Sequence, residues 1–240
     1  MADSSLLLLW DVDGTLITES RSGCVWYDEA LASVLGRGGI ARPERTAGLT
    51  DYSVVEQMLM REGFAGSQAT TLIPEVLHRL EQLSYENRDT IAGDRDELPG
   101  GRSFIEARLE PPFVHALLTG NTRHRALTKL AAFGLDALFD TRCSGFGDRT
   151  SERWRLVEEA RGRTGLILHG DESAVSRNRV VVIGDTPADI EAARRSRVAV
   201  VGVATGKYDR DELAAHEPDL LLDELADGGP ALADFISALR

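Results

Sequence analysis

The sequence predicts an α/β fold, a doubly wound, Rossmann-like parallel sheet with a small α-helical domain inserted near its start. Apolar runs at 6–10 (LLLLW), 113–119 (FVHALLT) and 179–184 (RVVVIG) have the length and continuity of strands buried on both faces. From 113 onward such runs alternate with segments of helical periodicity, the pattern of parallel crossover units. Between about 18 and 100 the periodicity is helical only.

The first run, five apolar residues, is far short of the roughly 20 needed to span a membrane. It stops at Asp11-Val12-Asp13-Gly14-Thr15. Strand periodicity points Asp11 and Asp13 the same way at the carboxyl end of the strand, where open α/β sheets place their ligands. Two carboxylates this close repel unless a cation or a shared proton relieves them, which favours a metal site or an acid/base pair. The competing reading is an ordinary Asp-Gly turn.

Helical spacing follows at 25–35, again behind a Thr50 N-cap at positions 54, 55, 58 and 59, and at 69–83. This block closes at Pro99-Gly100-Gly101 and is too long for one crossover, so the domains are read as 1–17 with 101–240 for the core and 18–100 for the insertion. A strand at 113–119 leads to a helix at 122–133, a short strand at 137–143 and a helix at 152–163. Residues 165–178 read as a surface loop, followed by strand 179–184, helix 187–196, strands 198–203 and 220–222, and a terminal helix at 230–239. Arg194, Arg195 and Arg197 fit a solvated helix end.

A formal charge of −12 argues against extended nucleic-acid binding, which normally needs the opposite excess. The 42% hydrophobic content excludes wholesale disorder. MADSS lacks a basic leader region, and no membrane-spanning run follows, so a soluble cytoplasmic protein is expected. Cys24 and Cys143 lie far apart without metal-ligand spacing and read as packing residues, and the five histidines are scattered.

Three strand ends carry the functional argument: Asp11 and Asp13, Thr119-Gly120-Asn121, and Asp185-Thr186-Pro187-Ala188-Asp189. A parallel sheet brings them to one edge. Several carboxylates with a hydroxyl and few nitrogens suit Mg²⁺, which takes one or two carboxylates plus substrate phosphate oxygens. Backbone N–H groups at the start of the helix after Asn121 suit an anion. Asp189 also has a plainer reading, a first-turn acid that complements the helix dipole.

DVDGT, the apolar run into TGN, a downstream basic residue and GDTPAD resemble, in that order, the four motifs of the haloacid dehalogenase superfamily. The likeness spans 6–222, with the helical insertion where that family carries its first-type cap, and GVATGKY at 202–208 is similar to the phosphoglycolate phosphatase-like members. The resemblance implies a Mg²⁺-dependent phosphatase acting on a small phosphorylated metabolite. In it Asp11 would be the nucleophile and Asp13 the acid and base. Thr119 would bind phosphate with the backbone of Gly120 or Asn121. Asp11, the Asp13 carbonyl and Asp185 would hold the metal, with Asp189 completing or orienting that shell. The third motif departs from the usual Lys: the region 146–156 offers Arg149 and Arg153, of which Arg153, at a helix start, is preferred. Lys129, on the earlier helix, reads as misplaced for that role. Within the insertion, Thr50 and Asp51 in the loop 48–52 are the residues expected to reach the site and set specificity. A β-phosphoglucomutase-like phosphotransferase keeps both aspartates and is the enzymatic alternative. A non-catalytic module that accepts a phosphoryl group is the alternative from another class.

Overall fold

The computed structural model describes residues 5–21, 25–39, 43 and 46–239, so Cys24 and the first four residues lie outside it. Six parallel strands form one sheet: β1 (Leu6–Trp10), β2 (Phe113–Thr119), β3 (Gly145–Phe146), β4 (Val180–Gly184), β5 (Ala199–Val203) and β6 (Leu220–Leu222). Their order is β3-β2-β1-β4-β5-β6. The winding therefore reverses at β1, whose Leu9 pairs with Ala116 of β2 on one side and Val182 of β4 on the other. The end of β1 is thus the switch point at which such sheets bind ligands.

Every residue of β1 is buried, and strand alternation divides them between two cores. Leu6, Leu8 and Trp10 face a cluster with residues of α5 (Gly101–Glu106), α6 (Arg123–Ala131) and α10 (Leu225–Ala238). Leu7 and Leu9 face the opposite cluster, with α7 (Arg153–His169), α8 (Pro187–Ser196) and α9 (Arg210–Ala214). The inserted helices α1 (Val25–Leu35), α2 (Asp51–Arg61) and α3 (Ser67–Glu86) enclose a third apolar core of their own, from Leu31, Met58, Ile73 and Leu80. The short α4 (Arg88–Asp94) follows them. The chain enters and leaves this helical layer side by side: Thr18 N donates to Asp96 O at 2.8 Å and Leu98 N to Leu16 O at 2.9 Å.

Several boundaries differ from the sequence reading. Residues 137–143 form no strand; a 3-10 turn at Asp136–Leu138 precedes the two-residue β3, because pairing with β2 is available only at Leu118 and Thr119. Helix α7 runs on to His169 and ends at Gly170 in the left-handed conformation, so the loop is shorter than 165–178. Helix α10 starts at Leu225, five residues early, with Pro230 inside it; α5 and α9 are too short to show a period. Among the described residues, no helix is long and apolar enough to cross a membrane.

Central-strand burial sets a stability expectation. Leu8→Ala, in fully buried β1, should destabilise the fold by about 2–5 kcal/mol in urea unfolding. Leu166→Ala, 51% exposed on α7, should change it by no more than about 0.5 kcal/mol. Equal effects would contradict this account of the core.

Candidate active site

The three strand ends meet at the carboxyl edge of the sheet. Carboxylate oxygens of Asp11, Asp185 and Asp189 lie within 4.8 Å of one another, and all three residues are buried. Asp11 sits at the end of β1 and donates its backbone N–H to Ile183 O at 2.9 Å. Arg153, the first residue of α7, bridges two of the acids: its Nη2 lies 3.0 Å from Asp11 Oδ1 and 2.6 Å from Asp189 Oδ1. Of the two candidate arginines, the structure brings Arg153 rather than Arg149 to the cluster.

Asp189 is held at both ends. While Oδ1 accepts from Arg153, Oδ2 accepts from Thr186 N at 3.1 Å and Thr186 Oγ1 at 2.6 Å, in a capping box that starts α8. Its helix-cap role and its role at the cluster therefore coexist. Asp185 is different: Oδ1 accepts from Thr15 Oγ1 at 3.1 Å, and Oδ2 is buried with no hydrogen-bond partner among the described residues. Gly14, at φ +83°, and Gly206 close round this carboxylate so tightly that a methyl group at either would collide with Oδ2. An orphaned buried carboxylate oxygen beside two further acids is a donor set that fits a hard divalent cation. Asp11, Asp185 and Asp189 are the three acids grouped closely enough to hold one, with Asp189 also engaged by Arg153 and Thr186.

The charges explain the titration. Burial pushes the Asp11 carboxyl up to about 7 against the pull of Arg153, with Asp189 and Asp13 adding to the rise. Burial likewise raises Asp185 well above the carboxylate range, helped by Asp11 and Asp189. Asp13 goes the other way: burial would raise it, but Lys129 and Arg95 hold it well below the ordinary value. Arg95 Nη1 donates to Asp13 Oδ1 and also to Thr18 O at 2.8 Å, and Lys129 Nζ donates to Asp13 Oδ2 at 2.6 Å.

Lys129, set aside for the third-motif role, is thus paired with Asp13, while Arg153 is the cation beside Asp11. Asn121, Arg125 and Lys129 are spaced by four along and just before α6, which stacks them on one helix face over the strand end. That spacing was the available signal. Arg95 offered none, because only the pairing of 16–18 with 96–98 brings it back. Asn121 joins the groups through its side chain: Nδ2 donates to Asp13 Oδ2 at 2.8 Å and Thr119 Oγ1 at 2.7 Å, and Oδ1 accepts from Lys129 Nζ at 2.6 Å. Its backbone N–H is taken by Thr119 Oγ1 at 3.2 Å.

The helical layer reaches the site through 48–52. Asp51 N donates to Gly120 O at 2.6 Å and Tyr52 N to Gly147 O at 2.9 Å. Leu49 O lies over Gly120 where a side chain would collide with it. Asp51 is buried, and its Oδ2 accepts from Thr122 N at 2.8 Å while Oδ1 pairs with Arg125 and the Tyr27 hydroxyl. The anion at the start of α6 is thus a carboxylate of the chain itself. Thr50 caps α2, accepting from Ser53 N at 3.1 Å and donating to Thr150 O at 2.8 Å, and it does not line the cavity. That cavity, of about 630 Å³, runs from Asp11 and Thr119 past Arg95 and Lys129 to Tyr27 and Asp51.

A family model described as haloacid dehalogenase-like hydrolase matches residues 8–194. The chain is 25% identical over 229 residues to a phosphoglycolate phosphatase of Agrobacterium fabrum, covering 95% of this chain and 92% of that one. It is also 25% identical over 226 residues to a 5'-nucleotidase of Pseudomonas aeruginosa, covering 91% of each. A crystal structure of a hydrolase from Pseudomonas syringae superposes with a TM-score of 0.65 at 20% identity, over 96% of this chain and 99% of that one.

Two expectations follow from the charges. With the folded-state value of Asp11 raised from 3.8 to about 7, its contribution to stability is full below about pH 4 and lost as pH rises through 7. Asp13, with a lowered value, acts with the opposite sign but below that interval. Metal-free protein should therefore melt lower at about pH 8 than at about pH 5, and Mg²⁺ at 100 times its Kd should raise Tm at pH 8 by roughly 5–10 °C. No shift with Mg²⁺ would contradict the cation site. Separately, Asp51→Ala should cost about 3–5 kcal/mol, since it leaves Arg125 buried without this carboxylate. A cost below about 1 kcal/mol in urea unfolding would show that the pair does not hold the layers together.

Proposed function

The chain belongs to the haloacid dehalogenase-like hydrolases, and from that premise we propose that it is a Mg²⁺-dependent phosphatase that hydrolyses a small phosphomonoester through a phosphoryl group on Asp11. The observation that carries this reading is the pairing of Asp11 with Arg153 beside the partnerless oxygen of Asp185.

The phosphoryl group sits between Asp11, Arg153 and Thr119. An Asp11 oxygen attacks phosphorus, the bond to the leaving oxygen breaks, and that oxygen takes a proton from Asp13. In the second step Asp13 accepts a proton from water, whose oxygen attacks phosphorus and releases Asp11 and inorganic phosphate. Asp13 must be protonated for the first step and ionised for the second; Lys129 and Arg95 favour the ionised form in this geometry. Asp11 and Asp185, with the Asp13 carbonyl, would hold Mg²⁺, which when bound would supply positive charge to the phosphoryl oxygens and offset the buried acids. Arg153 adds a fixed guanidinium to the same group, and Asp189 fixes Arg153 in turn.

The helical layer 18–100 acts as the cap of the site, excluding water when its loop 48–52 sits on Gly120 and Gly147. A cavity of about 630 Å³ takes either a two-carbon acid phosphate or a nucleoside monophosphate, the compounds indicated by the names of the two relatives. Asp51, bound to Arg125 and Thr122, serves closure rather than direct contact with substrate.

Purified protein should hydrolyse p-nitrophenyl phosphate with Mg²⁺ and stop in excess EDTA. Asp11→Asn should abolish turnover, and Asp13→Ala should lower kcat for an alkyl phosphate by about 10²–10⁴-fold. Full turnover by Asp11→Asn would overturn the covalent route.

A further inference from the structure

Both oxygens of Asp13 are held by cations from different parts of the chain. Arg95 takes Oδ1 from the segment that returns from the helical layer, and Lys129 takes Oδ2 from the core helix α6. Of the two, Lys129 is the more firmly built in: its side chain is 4% exposed, and Nζ lies 2.6 Å from both Asp13 Oδ2 and Asn121 Oδ1. Asn121 in turn donates to Thr119 Oγ1 and Asp13 Oδ2, so one ammonium fixes the acid and the phosphate-binding turn relative to each other.

Asp13 projects from a turn, at the β-bridge between Asp13 and Ile17, so its backbone does not by itself fix where the carboxyl points. Without partners a carboxylate there has several rotamers to choose from, and proton transfer to a leaving oxygen works only from one within hydrogen-bond reach. We propose that Lys129 is a positioning residue that acts through Asp13, aiming its carboxyl at the leaving-group side of the site and tying that aim, through Asn121, to the phosphate-binding turn. This rests on the reading of Asp13 as the leaving-group acid. Lys129 makes no contact with Asp11, Asp185 or Asp189, which separates it from the charge carried by Arg153.

The test compares two phosphate esters in single turnover: p-nitrophenyl phosphate, whose leaving group needs little help, and phenyl phosphate, whose leaving group needs a proton. Lys129→Met should slow phenyl phosphate by about 10²-fold and p-nitrophenyl phosphate by less than about 10-fold, with the inhibition constant of inorganic phosphate changed less than about threefold. In an Asp13→Asn background, adding Lys129→Met should slow phenyl phosphate by less than about twofold, because the two act as one unit. If Lys129→Met does not fold, as judged by circular dichroism, Lys129→Gln is put through the same comparison with the same expectation. Equal slowing of both esters, or a full further loss in the Asp13→Asn background, would overturn the inference. If Asp13→Asn itself leaves the ratio of the two esters unchanged, the acid role of Asp13 fails and the inference fails with it. If Asp13→Asn shifts the ratio and Lys129→Met does not, only the positioning role is lost.

Discussion

Three carboxylates held within 4.8 Å of one another and out of water repel strongly, and much of the rest of the structure answers that repulsion. Arg153 answers part of it by lying between Asp11 and Asp189. The capping box of α8 answers another part, turning Asp189 into a helix-start acceptor as well as an ion-pair partner. Burial and mutual repulsion then leave Asp11 and Asp185 with raised proton affinity, and Asp185 Oδ2 has no hydrogen-bond partner among the described residues. The strand ends that crowd the acids also group three carboxylates closely enough that they could hold a metal ion.

A second set of charges surrounds Asp13 and Asp51. Asp13 looks toward Lys129, Arg95 and Asn121, and Asp51 toward Arg125, Tyr27 and the start of α6. Asp13 and Asp51 thus have separate basic partners, and the carboxyls of the two aspartates of the DVDGT turn are shifted in opposite directions although one residue separates them. Without a cation, both shifts run against the first step proposed for this pair, which needs Asp11 ionised and Asp13 protonated; a cation beside Asp11 lowers its proton affinity. The helical layer takes part directly: Arg95 and Asp51 come from its side of the chain, so docking of 48–52 and the pairing of 16–18 with 96–98 help to determine the surroundings of Asp13.

The parallel core was legible because its signals are local. Continuous apolar runs identified β1, β2 and β4, and their acidic or small polar ends located the edge before any packing was known. What did not show was short or assembled at a distance. β3 has two residues and α9 five, fewer than a period can reveal. Lys129 was weighed only for the third-motif role, whereas its four-residue spacing from Arg125 and Asn121 already put it on their helix face. Arg95 belongs to the site through two paired connections separated by nearly 80 positions in sequence, and no local pattern encodes that. Asp51 was expected to reach the site from the loop 48–52: the loop does reach the core, and its carboxylate is engaged there by Thr122 N and Arg125.

The central claim is that Asp11 becomes covalently phosphorylated. Acid quenching during turnover of a phosphomonoester with Mg²⁺, followed by borohydride reduction and peptide mass spectrometry, reads that directly, because an acyl phosphate is reduced while a free carboxylate is not. The account predicts homoserine at position 11 and unmodified aspartate at 13, 185 and 189. Turnover without reduction at position 11, or with reduction at another aspartate, would contradict it.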